Sequence, residues 1–209
     1  MLRRFLLGIF VVSMASLAWA GVPDLNLSTA TIDPAANGAS IFNIPNGAGV
    51  GFDEAFLAGG TVDATITVTL IDTQGNPIFL YPFEDLWLET SLDGLAYCSG
   101  GTAADASTDE MGQTTFSNPL AAGGYTPGET TVVLVAGAPL GGGGLDITYN
   151  SPDINGDLTV NLSDIVAFTT LLGGDFGTHP LYAGDFNDDG TLNLSDIVRM
   201  TSGIGAACN

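Results

Sequence analysis

A twelve-residue pattern occurs twice in this chain and limits what its last quarter can fold around. The first copy places Asp153, Asn155, Asp157, Thr159, Asn161 and Asp164 at positions 1, 3, 5, 7, 9 and 12. Thirty-two residues later, Asp185, Asn187, Asp189, Thr191, Asn193 and Asp196 repeat the spacing. Over sixteen residues from each first aspartate ten are identical, including the run Asn-Leu-Ser-Asp-Ile-Val, so the segment is an internal duplication. Positions 1, 3, 5, 9 and 12 carry oxygen side chains, and position 7 can add its peptide carbonyl. A short loop built this way has to curl around what it binds, and a hard cation takes six to eight such oxygens. Three carboxylates per copy repel one another unless an ion neutralises them. An Asp/Asn-rich surface turn that binds nothing would account for one copy, but hardly for two in register.

The spacing is that of an EF-hand-type calcium loop. Behind each loop apolar residues recur at helical intervals: Leu162, Ile165 and Val166, then Leu194, Ile197 and Val198. Ser163 and Ser195 are placed to cap the two helices, Asp164 and Asp196 fall in the favourable first turn, and Gly173, Gly174 and Gly203 end them. The two apolar helix faces are expected to bury each other. In these features residues 151–209 resemble the type I dockerins, whose paired calcium loops are each followed by one helix. The resemblance implies two calcium sites, one from Asp153, Asn155, Asp157, the Thr159 carbonyl, Asn161 and Asp164. The other would use Asp185, Asn187, Asp189, the Thr191 carbonyl, Asn193 and Asp196. It also implies a cohesin-like partner, which in dockerins is met by loop positions 10 and 11 and by basic residues along the following helix. Here those positions are Leu162-Ser163 and Leu194-Ser195, and the only nearby base is Arg199, a departure from that pattern. A second departure sits at position 6, where the sharp turn wants glycine: the second loop has Gly190, the first has Leu158. A leucine held at positive φ costs about 1–2 kcal/mol, so the 185–196 loop is expected to be the stronger site.

Residues 1–20 read as a secretory signal peptide. Arg3 and Arg4 precede an apolar run from Phe5 to Val12, and Ala18-Trp19-Ala20 offers a small-x-small cleavage site. The run is short for a membrane span, so a secreted, extracellular product with no membrane attachment after cleavage is expected. Cleavage would leave Arg199 alone against all 23 acidic residues, and the chain has no lysine. That balance argues against nucleic acid and anionic lipid, which both need cationic contacts.

Residues 21–150 are long enough for a core of their own and show short β-rich runs between Gly/Pro/Asn turns. The clearest run is 61–70, where Val62, Ala64, Ile66, Val68 and Leu70 alternate with polar residues. Further strands are expected at 28–32, 40–44, 78–81, 86–89, 114–117, 130–136 and 145–149, about the number a β-sandwich needs. Val68 to Pro77 and Thr108 to Phe116 look like the strand-turn pairs of bacterial immunoglobulin-like domains of the invasin type. The expected architecture is therefore two-domain: a signal peptide (1–20), an all-β immunoglobulin-like sandwich (21–150), and a small α-helical dockerin-like EF-hand pair (151–209). Ser151-Pro152 marks the boundary, because a proline biases its predecessor to extended backbone.

Little in the chain reads as catalysis. His179, the sole histidine, stands in the 177–180 connector with no serine or cysteine motif to serve as base for, and reads as a solvent-exposed connector residue. Glu84 and Asp85 are adjacent, and neighbours on a strand point to opposite faces, so they read as surface acids and not as a glycosidase pair. Phe79, Tyr81, Trp87 and Tyr97 could stack a sugar but read first as core. Cys98 and Cys208, the only cysteines, are expected to pair in an oxidising compartment, the alternatives being free thiols or an intermolecular bridge. The expected function is non-catalytic: a secreted calcium-binding protein whose terminal module mediates extracellular assembly or attachment, in the setting of polysaccharide degradation. Two other readings remain: a carbohydrate-binding or glycoside-hydrolase accessory module with polysaccharide as partner, and a purely structural, calcium-stabilised surface protein.

Overall fold

The computed structural model describes residues 21–90 and 94–208; the expected leader, 1–20, lies outside them. The described chain is mostly β, with two short helices at its C-terminal end. The strands are β1 (Thr29–Thr31), β2 (Ala39–Phe42), β3 (Ala55–Leu57), β4 (Gly60–Val62), β5 (Ile66–Thr69), β6 (Leu86–Thr90), β7 (Leu95–Tyr97), β8 (Gln113–Phe116), β9 (Ala122–Gly124), β10 (Thr131–Val135), β11 (Ala138–Pro139) and β12 (Ile147–Asn150). They form four small sheets, in the orders β1-β5-β8, β11-β10-β6, β12-β2-β3-β4 and β7-β9. Pairing is antiparallel except between β12 and β2, whose parallel register sets Ile147 beside Ala39. All four sheets contribute to one core, including Ile41, Ile66, Val68, Leu86, Leu88, Phe116, Ala122, Val133, Ile147 and Tyr149. The alternation in β5 is the reason it can do so: Ile66 and Val68 are buried while Thr67 and Thr69 face outward.

The expected strand at 61–70 is two strands. Asp63 accepts the Thr65 N–H at 2.9 Å, a local turn that competes with the ladder and breaks the run. β4 then joins one sheet and β5 another. No strand occupies 78–81, where Leu80 sits at φ 56 and its N–H donates to the Thr108 carbonyl. β3, β7, β9 and β11 lie outside the expected strands, being only two or three residues long; β3 and β11 pair locally with β4 and β10, while β7 pairs with the distant β9. The two immunoglobulin-like stretches meet where Val68 and Thr69, at the end of β5, pair with Thr114 and Gln113 of β8.

The chain passes from β12 through Ser151-Pro152 into α1 (Leu162–Leu172) and α2 (Leu194–Gly203). The helices do not simply bury each other. Phe168, Leu171 and Met200 share a second core with Ile154, Val160 and Phe186, and with Phe42, Ile44 and Phe56 from the β-body. Phe186 meets Phe42 edge-on at 5.3 Å and stacks on Phe168 at 5.6 Å. Arg199 extends from α2 over the ring of Phe56, 4.2 Å from its centroid, a cation–π contact between helix and sheet. Cys98 and Cys208 form a disulfide with Cα atoms 5.5 Å apart, which ties the C-terminus back to the end of β7. Among the described residues no helix is long and apolar enough to cross a membrane.

Candidate functional site: two acidic loops

In each repeat the first and last aspartates gather the loop's own N–H groups. Asp153 accepts from Asp157 at 3.1 Å and Leu158 at 2.8 Å, and Asp157 from Thr159 at 3.0 Å. Asp185 accepts from Asp189 at 3.1 Å and Gly190 at 2.8 Å, and Asp189 from Thr191 at 2.9 Å. Asp164 takes the N–H groups of Asn155 and Asn161, and Asp196 those of Phe186 and Asn193. Both loops turn through left-handed backbone at position 6, with Leu158 at φ 67 and Gly190 at φ 80.

The helices begin on position 9, not on the serines. Asn161 and Asn193 are the N-caps, and Asp164 and Asp196 complete capping boxes from the third helical position. Ser163 and Ser195 instead donate their N–H and hydroxyl to those asparagine oxygens at 2.8–2.9 Å. Asparagine wins because its carbonyl reaches the first free N–H groups from a residue still in extended backbone.

These loops hold carboxylates where charge is costly. Asp153, Asp164 and Asp196 are fully buried and Asp185 nearly so. Burial, helped by the nearby Asp164 and Asp157 charges, pushes the Asp153 carboxyl up to about 6 against the Leu158 and Asp157 N–H bonds that lower it. Burial likewise raises Asp185 and Asp196, against hydrogen bonds that lower them. Exposed Asp189 goes the other way, to about 2, held down by bonds from Thr191 and Asn187. Buried carboxylates need a compensating cation, yet Arg199 is the only Lys or Arg among the described residues.

The donor atoms of both loops suit a hard cation in kind. Every candidate ligand atom is an oxygen, as calcium requires. The Asn187 side-chain oxygen is buried with no hydrogen-bond partner, a bare acceptor inside the second loop. Its counterpart in the first loop, Asn155, spends its oxygen on the Asp157 N–H at 2.9 Å. Among the described residues no three His, Cys, Asp or Glu side chains are gathered closely enough to form a metal site by themselves. An ion at either loop must therefore also draw on asparagine and peptide oxygens, the mixed set that calcium accepts.

Each loop is docked on the β-body. Asp188 accepts the Ala58 N–H at 2.8 Å in the β3–β4 turn, and the Asp153 carbonyl accepts from Gly124 of β9 at 2.7 Å. A side chain at Gly123 would collide with the Asp153 carboxylate, so this approach requires glycine. The duplication also leaves a paired apolar surface outside. Leu162 and Leu194, at loop position 10, are 72% and 71% exposed, and Val166 and Val198 one turn later are 57% and 60% exposed.

Other sequence candidates fall elsewhere. His179 is half-buried, not freely exposed, with its Nδ1 3.0 Å from the Tyr125 hydroxyl. Glu84 and Asp85 lie on a 3-10 turn ahead of β6 and not on a strand. Of the four aromatics read as core, Tyr81 is buried, Phe79 is exposed, and Trp87 and Tyr97 line an open cleft.

No protein-family model matches the chain, and no curated protein matches it. Among solved structures, the filamin domain of Lin-41 aligns over 60% of this chain and 95% of its own, at 18% identity. Its TM-score of 0.29 is too low to bear on fold or function.

Proposed function

We propose that this protein is a secreted, non-catalytic calcium-binding protein whose dockerin-like C-terminal module attaches it to an extracellular assembly. The observation that carries this reading is the pair of duplicated loops with four buried carboxylates and the bare Asn187 oxygen. Two calcium ions would offset the buried charge, held by Asp153, Asn155, Asp157, Thr159, Asn161 and Asp164 in one loop and by Asp185, Asn187, Asp189, Thr191, Asn193 and Asp196 in the other. The protein's own part is to fix those oxygens through capping boxes and turn hydrogen bonds. The paired Leu162/Val166 and Leu194/Val198 surface supports a docking role, because large apolar side chains repeated at equal exposure serve no packing purpose here. A cohesin-like domain is the partner this reading implies.

Hydrogen exchange on the full chain, in calcium and then in chelator, tests the first half. Each ion adds about 2.7 kcal/mol at free calcium a hundredfold above its dissociation constant, so exchange in 151–208 should slow markedly when calcium is added. Because Phe42, Ile44 and Phe56 share that core, chelation should also loosen 42–44 and 55–57 while the rest of the β-body stays protected. Equal exchange with and without calcium would refute calcium binding. Assembly is tested separately with a panel of purified cohesin domains. Calcium-dependent capture lost in the Leu162→Asp/Leu194→Asp double variant supports docking, whereas calcium binding without any capture leaves the purely structural reading.

A further inference from the structure

We propose that a cleft on the β-body, lined by Trp87 and Tyr97, binds a neutral saccharide. The cleft measures about 460 Å³, within the usual range of small-molecule sites, and lies beside Cys98. It arises from strand alternation in β6. Leu86 and Leu88 enter the core, which turns Trp87 and Glu89 to the opposite face. The indole is set over Gly137, where a Cβ would come within 3.9 Å of its edge. Tyr97 projects from β7 and donates its hydroxyl to the Thr90 hydroxyl at 3.3 Å, which fixes the ring. Burial pushes that phenol up to about 12, so it stays neutral. Glu84, Glu89, Ser99 and Thr102 also line the cleft.

This combination selects a ligand class. A pyranose ring presents C–H groups on its faces and hydroxyls at its edge. Flat aromatic faces take the former, while carboxylates and hydroxyls accept and donate to the latter. No Lys or Arg lines the cleft, so nothing favours phosphate, sulfate or nucleic acid. The carboxylates alone do not specify a cation, because acids are spread along the whole chain, 23 against three bases. The meeting of the only tryptophan among the described residues with a half-buried tyrosine in one cleft is the specific feature. The Cys98–Cys208 bond and the β10–β6 ladder hold its walls in place, so little ordering is needed on binding. The inference is independent of the calcium reading.

Trp87 also provides the test, since the only other tryptophan is Trp19 in the expected leader. The leaderless chain in calcium is titrated with hydroxyethylcellulose, xylan and galactomannan, by native affinity electrophoresis and by tryptophan emission. At least one polysaccharide should retard the protein and shift the emission. Trp87→Ala should weaken retardation by about tenfold or more, and Trp87→Phe should restore part of it. Glu89→Gln should change it by less than about threefold. Far-UV circular dichroism should be the same for Trp87→Ala as for the native chain, which shows that the variant is folded. No retardation by any of the three would overturn the proposal. So would an emission change produced only by spermine and abolished by Glu89→Gln, which would make this a cation site.

Discussion

Replacing Gly190 by alanine isolates one physical term in the second loop. Gly190 sits at φ 80, and a Cβ built there meets nothing within 4 Å, so the variant adds no clash and only the cost of left-handed backbone. That cost is about 1–2 kcal/mol. It is offset by roughly 0.5–1 kcal/mol, because alanine loses less backbone freedom than glycine when the loop is ordered. The net loss of about 0.5–1 kcal/mol corresponds to calcium binding roughly two- to fivefold weaker. Leu158, at φ 67, already bears that cost in the first loop. Leu158→Gly should tighten that loop by a similar or smaller factor, since the leucine is half-buried and some packing is lost with it. The assay is isothermal calorimetry on the full chain after chelator treatment. The native protein should show two unequal steps, with Gly190→Ala closing the gap from above and Leu158→Gly from below. Two equal steps in the native chain, or a pair of variants that leave both steps unmoved, would refute the reasoning.

The Cys98–Cys208 bond closes a loop with a sequence separation of 110 residues. The double variant Cys98→Ser/Cys208→Ser should lose stability by up to about 4–5 kcal/mol in urea unfolding, and an unchanged midpoint would remove the bond from the account of stability. Asp188→Ala deletes the 2.8 Å bond to the Ala58 N–H at an exposed contact between loop and body. It should cost about 1 kcal/mol and raise hydrogen exchange at Ala58, and an unprotected Ala58 amide in the native chain would contradict the contact. Arg199→Gln removes the cation above Phe56 and should destabilise by roughly 0.5–2 kcal/mol; a salt-insensitive, fully native unfolding midpoint would show that the stem and not the charge makes this contact.

What the sequence determined by itself was what twelve consecutive residues can decide among themselves. The duplicated spacing, the left-handed turn at Leu158 and Gly190 and the helices that follow depend on hydrogen bonds between residues two to ten positions apart. Even there one local choice was misread: asparagine and serine both cap helices, and only the register shows that Asn161 and Asn193 hold the cap. Tertiary structure decided the rest, because its partners are far away in sequence. The alternating run at 61–70 cannot reveal that its halves join different sheets, since β4 is fixed by β3 and β5 by β1 and β8. β12 is placed by parallel pairing with β2, more than a hundred residues earlier, and a strand as short as β9 has no period of its own to read. The helices' inward face could not be chosen from spacing either. Leu162 and Val166 are as apolar as Phe168 and Leu171, and only the position of Phe42, Ile44 and Phe56 on the β-body decides which pair is buried. The same holds for Tyr81 and Trp87, both aromatic residues near β6: bonds to the distant Thr108 hold Tyr81 where its ring is buried, while the alternation of β6 leaves Trp87 lining a cleft.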